Sequence, residues 1–148
     1  MRNEATEEML DFATEVCRRY SQVKMFSEEA EASWRRNLEM AATSKYAGEK
    51  EMYDQQAADD LARYTAAKEW LKLVDGAVFQ IKNSNAQAVV RQHCLNRIPL
   101  KAVEFDNGKH MGKTAVFYHK KNGLKLFSEE ISGVAIRLHE LEKKFCKI

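Results

Sequence analysis

A single proline, Pro99, in 148 residues constrains this chain more than any other feature. Proline and glycine end helices and build tight turns, and only six glycines accompany that proline. A chain made of many short strands needs more of both, so the sequence points to long helices and a mainly α fold. Apolar residues at 45% supply a core, and at that level wholesale disorder is ruled out.

Residues 4–20 bring Met9, Phe12, Ala13, Val16, Cys17 and Tyr20 to one helical face. Acids come early in that segment and Arg18-Arg19 late, which suits the helix dipole. Ser27, followed by Glu28 and Glu29, has the chemistry of a fresh N-cap. After it Ala30, Trp34, Leu38 and Ala41 recur every three or four residues. A break is expected at Thr43-Ser44 and Gly48, then another stripe from Glu49 to Val74, ended by Asp75-Gly76. These segments predict an N-terminal antiparallel helical bundle or hairpin.

Beyond residue 83 the signals are shorter. Ser84 stands three residues before Gln87, the spacing of a capping box. The helix it opens turns Val89, Val90, Cys94 and Leu95 inward and stops before Pro99. Pro99 suits the start of a short helix over 99–106, which Asn107-Gly108 ends in a left-handed turn. A further helix begins at or just before Thr114, with Val116, Phe117, Leu124 and Phe127 on one side. A last helix over 129–146 carries Val134, Leu138, Leu141 and Phe145, with Gly133 as a kink or divider. An alternative stands for residues 101–128. Asp106-Asn107-Gly108 and Lys121-Asn122-Gly123 are hairpin-turn sequences flanked by β formers, so a small β-meander there would make the fold α+β.

The net charge of +2 conceals a split. Residues 1–75 hold 11 Lys/Arg against 16 Asp/Glu, whereas residues 76–148 hold 13 against 6. Lys82–Lys125 has nine basic residues and only two acids, Glu104 and Asp106. Such asymmetry points to a polyanionic partner for the second half. It divides the chain into an acidic helical region, 1–75, for dimerisation or partner contact, and a basic module, 84–148.

Within that module a capped helix, a short helix, a glycine-containing turn and a basic helix follow one another. That is the order of a helix-turn-helix, whose last helix enters the major groove. The stretch Val116-Phe-Tyr-His-Lys-Lys-Asn-Gly-Leu-Lys-Leu-Phe127 resembles the recognition-helix end of the sigma-like, ArpU-type late transcriptional regulators of phages of Gram-positive bacteria. The resemblance covers about residues 84–131 and implies a DNA-binding regulator of phage or mobile-element type. Lys109, Lys113, Lys120, Lys121 and Lys125 are then expected at phosphates, which position a protein without specifying a sequence. Thr114, Tyr118 and His119 are placed for base edges or phosphate oxygens, and Arg91 and Arg97 for the backbone. Val89, Val90, Leu95, Ile98, Val103, Val116 and Leu124 are expected in the core. Double-stranded DNA is the expected partner, with RNA polymerase or another host protein at the acidic region. Trp34, Tyr53, Tyr64 and Trp70 suggest a homodimer. The alternative from another class is a mobile-element-encoded inhibitor or adaptor that binds a host protein or a nucleic-acid–protein complex.

Other chemistries find no support in the residues. A P-loop needs four residues between its first glycine and Gly-Lys-Thr, and Gly108 leaves three before Gly112-Lys113-Thr114. Adjacent acids such as Asp59-Asp60 diverge on a helix, so no acid–base pair converges and no enzyme is expected. Cys17, Cys94 and Cys146 lack metal-ligand spacing, and no cofactor is expected. No apolar run is long enough for a membrane span or a signal core, so the expected location is the host cytoplasm.

Overall fold

The computed structural model describes Arg2–Cys146, excepting the side chains of residues 2–6 and of Asn107. The fold is mainly α. Its helices are α1 (Arg2–Thr43), α2 (Ala47–Phe79), α3 (Ser84–Val89), α4 (Lys113–Ser132) and α5 (Ala135–Phe145). A π-helical turn, Val90–Leu95, continues α3, and two single 3-10 turns lie at Leu100–Ala102 and Asp106–Gly108. The chain packs as two compact units, Met1–Ser21 with Lys72–Ile136, and Gln22–Leu71 with Arg137–Ile148.

The predicted interruptions at Ser27 and at Asp75-Gly76 do not occur. Both α1 and α2 run straight through them. On α1 the buried positions Ala13, Val16, Cys17, Tyr20, Val23, Ser27 and Ala30 keep one helical phase, so Ser27 lies inside the stripe, 4% exposed. On α2 the stripe Val74, Ala77, Val78 continues past the glycine, and the Tyr20 hydroxyl donates to Asp75 Oδ1 at 2.7 Å. A helical glycine costs about 1 kcal/mol, less than losing that burial.

In the second unit the α1–α2 hairpin is stitched by polar and aromatic contacts. Buried Asp60 accepts from Ser33 at 2.6 Å, Asn37 at 2.8 Å and Arg63 at 2.9 Å. Trp34 stacks on Tyr64, with centroids 6.3 Å apart. Trp70 is fully buried and donates its indole N–H to Glu142 of α5 at 3.2 Å, while Phe26 meets Phe145. Leu138, Leu141 and Phe145 give α5 its buried face. The Trp34–Tyr64 pair and Trp70 are thus satisfied inside the chain.

In the first unit the cap of α3 is Asn83, one residue earlier than predicted. Its side chain accepts from the N–H groups of Asn85 and Ala86 at 3.1 and 3.0 Å. Gln87 does not close a box with Ser84; its amide donates to the carbonyls of Val78, Phe79 and Ile81, each at 3.2 Å, at the end of α2. The predicted helix over 99–106 is only the turn Leu100–Ala102, after which the chain is extended. Gln92 holds that extended segment by donating to Glu104 O at 2.6 Å and accepting from Glu104 N at 2.8 Å. Val103 and Phe105 there pack with Ala88, Val89 and Val116.

The β-meander is absent among the described residues. Its one trace is an isolated antiparallel bridge between Phe105 and Lys109 around Gly108, which has φ 68°. Asn122-Gly123 lies inside α4. A Cβ at Gly123 would stand 2.8 Å from both the Ala86 carbonyl oxygen and Val90 Cγ2, so glycine serves the close crossing of α4 over α3.

Candidate nucleic-acid interface

Helix α4 has two opposed faces. Val116, Gly123, Phe127 and Ile131 are buried, as is Ser128 beyond the last lysine of the other face. Thr114, Phe117, Tyr118, Lys121 and Lys125 are exposed. At 100° per residue these five fall within an arc of about 100°, on a face roughly 17 Å long. Phe117 is 51% and Tyr118 64% exposed. Lys113 is the first helical residue, and Gly112 before it offers no side-chain cap, so the first-turn amides are not tied up by one. Exposed Glu129 ends the basic stretch of this face.

The ten residues singled out from the sequence separate into groups. Lys113, Thr114, Tyr118, Lys121 and Lys125 come together on α4. Lys109 is exposed beside the turn that precedes it. Arg91 is exposed at the rim of a small cavity that includes Tyr20, Asp75 and Asn96. His119 is half-buried, packs on Phe105 and Tyr118, and its shielded Nδ1 has no hydrogen-bond partner among the described residues. It therefore supports the first turns of α4 from beneath. Lys120 and Arg97 line a separate cavity of about 560 Å³ together with His93, Cys17 and Cys94. Arg97 adopts a left-handed φ of 58° where the π-helical turn ends, a conformation that costs a non-glycine residue about 1 kcal/mol or more. Its guanidinium donates to the Arg18 carbonyl at 3.1 Å.

Of the expected core residues, Val89, Val90, Leu95, Val103 and Val116 are buried, whereas Ile98 and Leu124 are half-buried.

No protein-family model, curated protein or solved structure matches this chain.

The chemistry of the α4 face therefore rests on its own residues. Lysines at both ends and one turn apart supply positive charge without acidic neighbours until Glu129. Two exposed aromatic rings lie between them, able to pack on apolar or π surfaces. Phe117 was expected on the apolar side of the helix. Only the phase fixed by Val116, Gly123 and Phe127 shows that it faces outward, one residue and 100° away from Val116.

Proposed function

We propose that the chain binds double-stranded DNA with the exposed face of α4 in the major groove, as a transcriptional regulator of phage or mobile-element type. The observation that carries this reading is the convergence of Thr114, Tyr118, Lys121 and Lys125 on one solvent face of a helix whose back is fixed on α3, with Lys113 exposed at its start. On this reading α3 and α4, with the turns between them, act as a helix-turn-helix, with α4 in the recognition position. Lysines at phosphates supply affinity, and Thr114 and Tyr118 contact bases or backbone oxygens. The transcriptional role follows from the resemblance of residues 84–131 to ArpU-type regulators.

A second reading is favoured by the two rings. Phe117 and Tyr118, more than half exposed, are a composition enriched at protein interfaces. On that reading the chain is a mobile-element inhibitor or adaptor and the same face meets a host protein or a nucleic-acid–protein complex.

Fluorescence anisotropy with random duplex DNA across a salt series distinguishes them. The DNA reading expects binding at low salt, with an affinity that falls steeply as salt rises. Lys113→Ala and Lys121→Ala should each reduce the salt slope by about 0.9. Lys82→Ala, far along the chain from α4, should leave it unchanged. Absence of binding at low salt would overturn the DNA reading.

A further inference from the structure

The cavity beside Arg97 contains chemistry that DNA binding does not use. Cys17 on α1 and Cys94 in the π-helical turn both line it, although 76 residues separate them in sequence. Each thiol is the other's principal electrostatic influence. Cys17 is buried at 6% exposure, and Cys94 is half-buried at the cavity wall. Lys120 and Arg97 are cationic neighbours, and among the described residues no side chain lining the cavity is a carboxylate.

We propose that Cys17 and Cys94 are a hydroperoxide-oxidisable pair, in which Cys94 takes the oxygen and Cys17 closes an intrachain disulfide between α1 and the π-helical turn. The two sulfurs divide the labour. The adjacent Cys17 thiol, helped by the charge of Lys120, lowers the Cys94 thiol below its ordinary value. The neighbouring Cys94, with burial, raises Cys17 far above its own. Cys94 is therefore the more acidic of the two thiols and the one that more readily supplies the thiolate, the form that attacks peroxides. Its sulfur displaces alkoxide, or hydroxide in the case of hydrogen peroxide, from the peroxide oxygen–oxygen bond and becomes sulfenic acid. The displaced oxygen is protonated to alcohol or water. Cys17 then attacks the Cys94 sulfur. The sulfur–sulfur bond forms, the sulfur–oxygen bond breaks, and the Cys17 proton leaves with the hydroxyl as water. Two thiols are oxidised by two electrons and one hydroperoxide is reduced. The bridge closes when the two sulfurs reach about 2.05 Å.

The test uses the full chain carrying Cys146→Ser, treated with hydrogen peroxide under native conditions. The intact mass should fall by two hydrogens, and non-reducing digestion should yield a peptide pair joining residues 17 and 94 that dithiothreitol separates. In the Cys17→Ala variant, Cys94 should halt as sulfenic acid and take up dimedone. In the Cys94→Ala variant, Cys17 should take up none. A native chain that forms no 17–94 linkage overturns the proposal, as does dimedone labelling of Cys17 in preference to Cys94. Because the linkage is read with both cysteines intact, the proposal remains decidable if either alanine variant fails to fold.

Discussion

Gly123 shows how one residue can look like a signal for the wrong structure. After Lys121-Asn122 it reads as a hairpin turn, yet it lies within α4 because the helix passes too close to α3 for any side chain. The obstacle on one side is backbone, the Ala86 carbonyl, which cannot swing away as a flexible side chain would. Gly123→Ala gains about 1 kcal/mol of helix propensity but forces overpacking worth about 1–3 kcal/mol. The expected outcome is a net loss of about 1 kcal/mol, read as a lower urea midpoint at unchanged slope. A midpoint that rises would mean that α4 moves freely off α3. Gly76→Ala is the control: nothing lies within 4 Å of its Cβ position, so propensity alone should act and the midpoint should rise. No local rule separates these two helical glycines, because the difference is the distance to another element.

At the level of elements, long periodic stripes were legible and their ends were not. The hairpin of α1 and α2, its break near residues 43–48, and the division of α4 from α5 at Gly133 all follow from spacing that persists over several turns. Ser27 and Asp75-Gly76 resemble boundaries locally, but burial on both sides keeps the helix going. The stretch 96–112 was least legible. Val103–Phe105 is extended, as its β formers suggest, but its backbone is held by the side-chain amide of Gln92, 12 residues away, in place of a second strand. The α4 face was partly legible: its lysines were read, whereas Phe117 depended on helix phase and the Cys17–Cys94 meeting had no sequence signal. Start signals act at single residues, so they can be tested there. Asn83 caps two amides of α3, whereas Ser84, expected in that role, is the first helical residue. Asn83→Ala should cost about 1 kcal/mol in thermal or urea unfolding, and Ser84→Ala much less. Equal losses would return the cap to Ser84.

At the scale of the molecule, sequence distance is a poor guide to which parts stabilise one another. Each compact unit draws on segments far apart in the chain, so the two charge halves are not the two units, although one division, between Leu71 and Lys72, falls close to where the charge changes. The second unit makes this testable, because its last segment, from Arg137 onward, closes on residues 22–71. Arg137 pairs with Glu69 at 2.7 Å, and Glu142 accepts from Trp70 at 3.2 Å. Leu138 and Leu141 are 1% exposed and Phe145 2%. Burying a side chain of this size contributes about 1.5–3 kcal/mol, so losing all three costs on the order of 6 kcal/mol. Ending the chain at Val134 should therefore expose Trp70 although that residue lies more than 60 positions away. With Trp34→Phe to leave Trp70 as the sole indole, the truncated protein should show red-shifted emission, stronger acrylamide quenching and a large loss of helical ellipticity beyond the eleven residues of α5. Full-length Leu138→Ala should show a smaller loss, about 2–5 kcal/mol, without removing the Trp70–Glu142 bond by design. If truncation leaves the Trp70 emission maximum unchanged, the hairpin of residues 22–71 buries that ring without α5, and the contribution assigned to the chain's final helix is wrong.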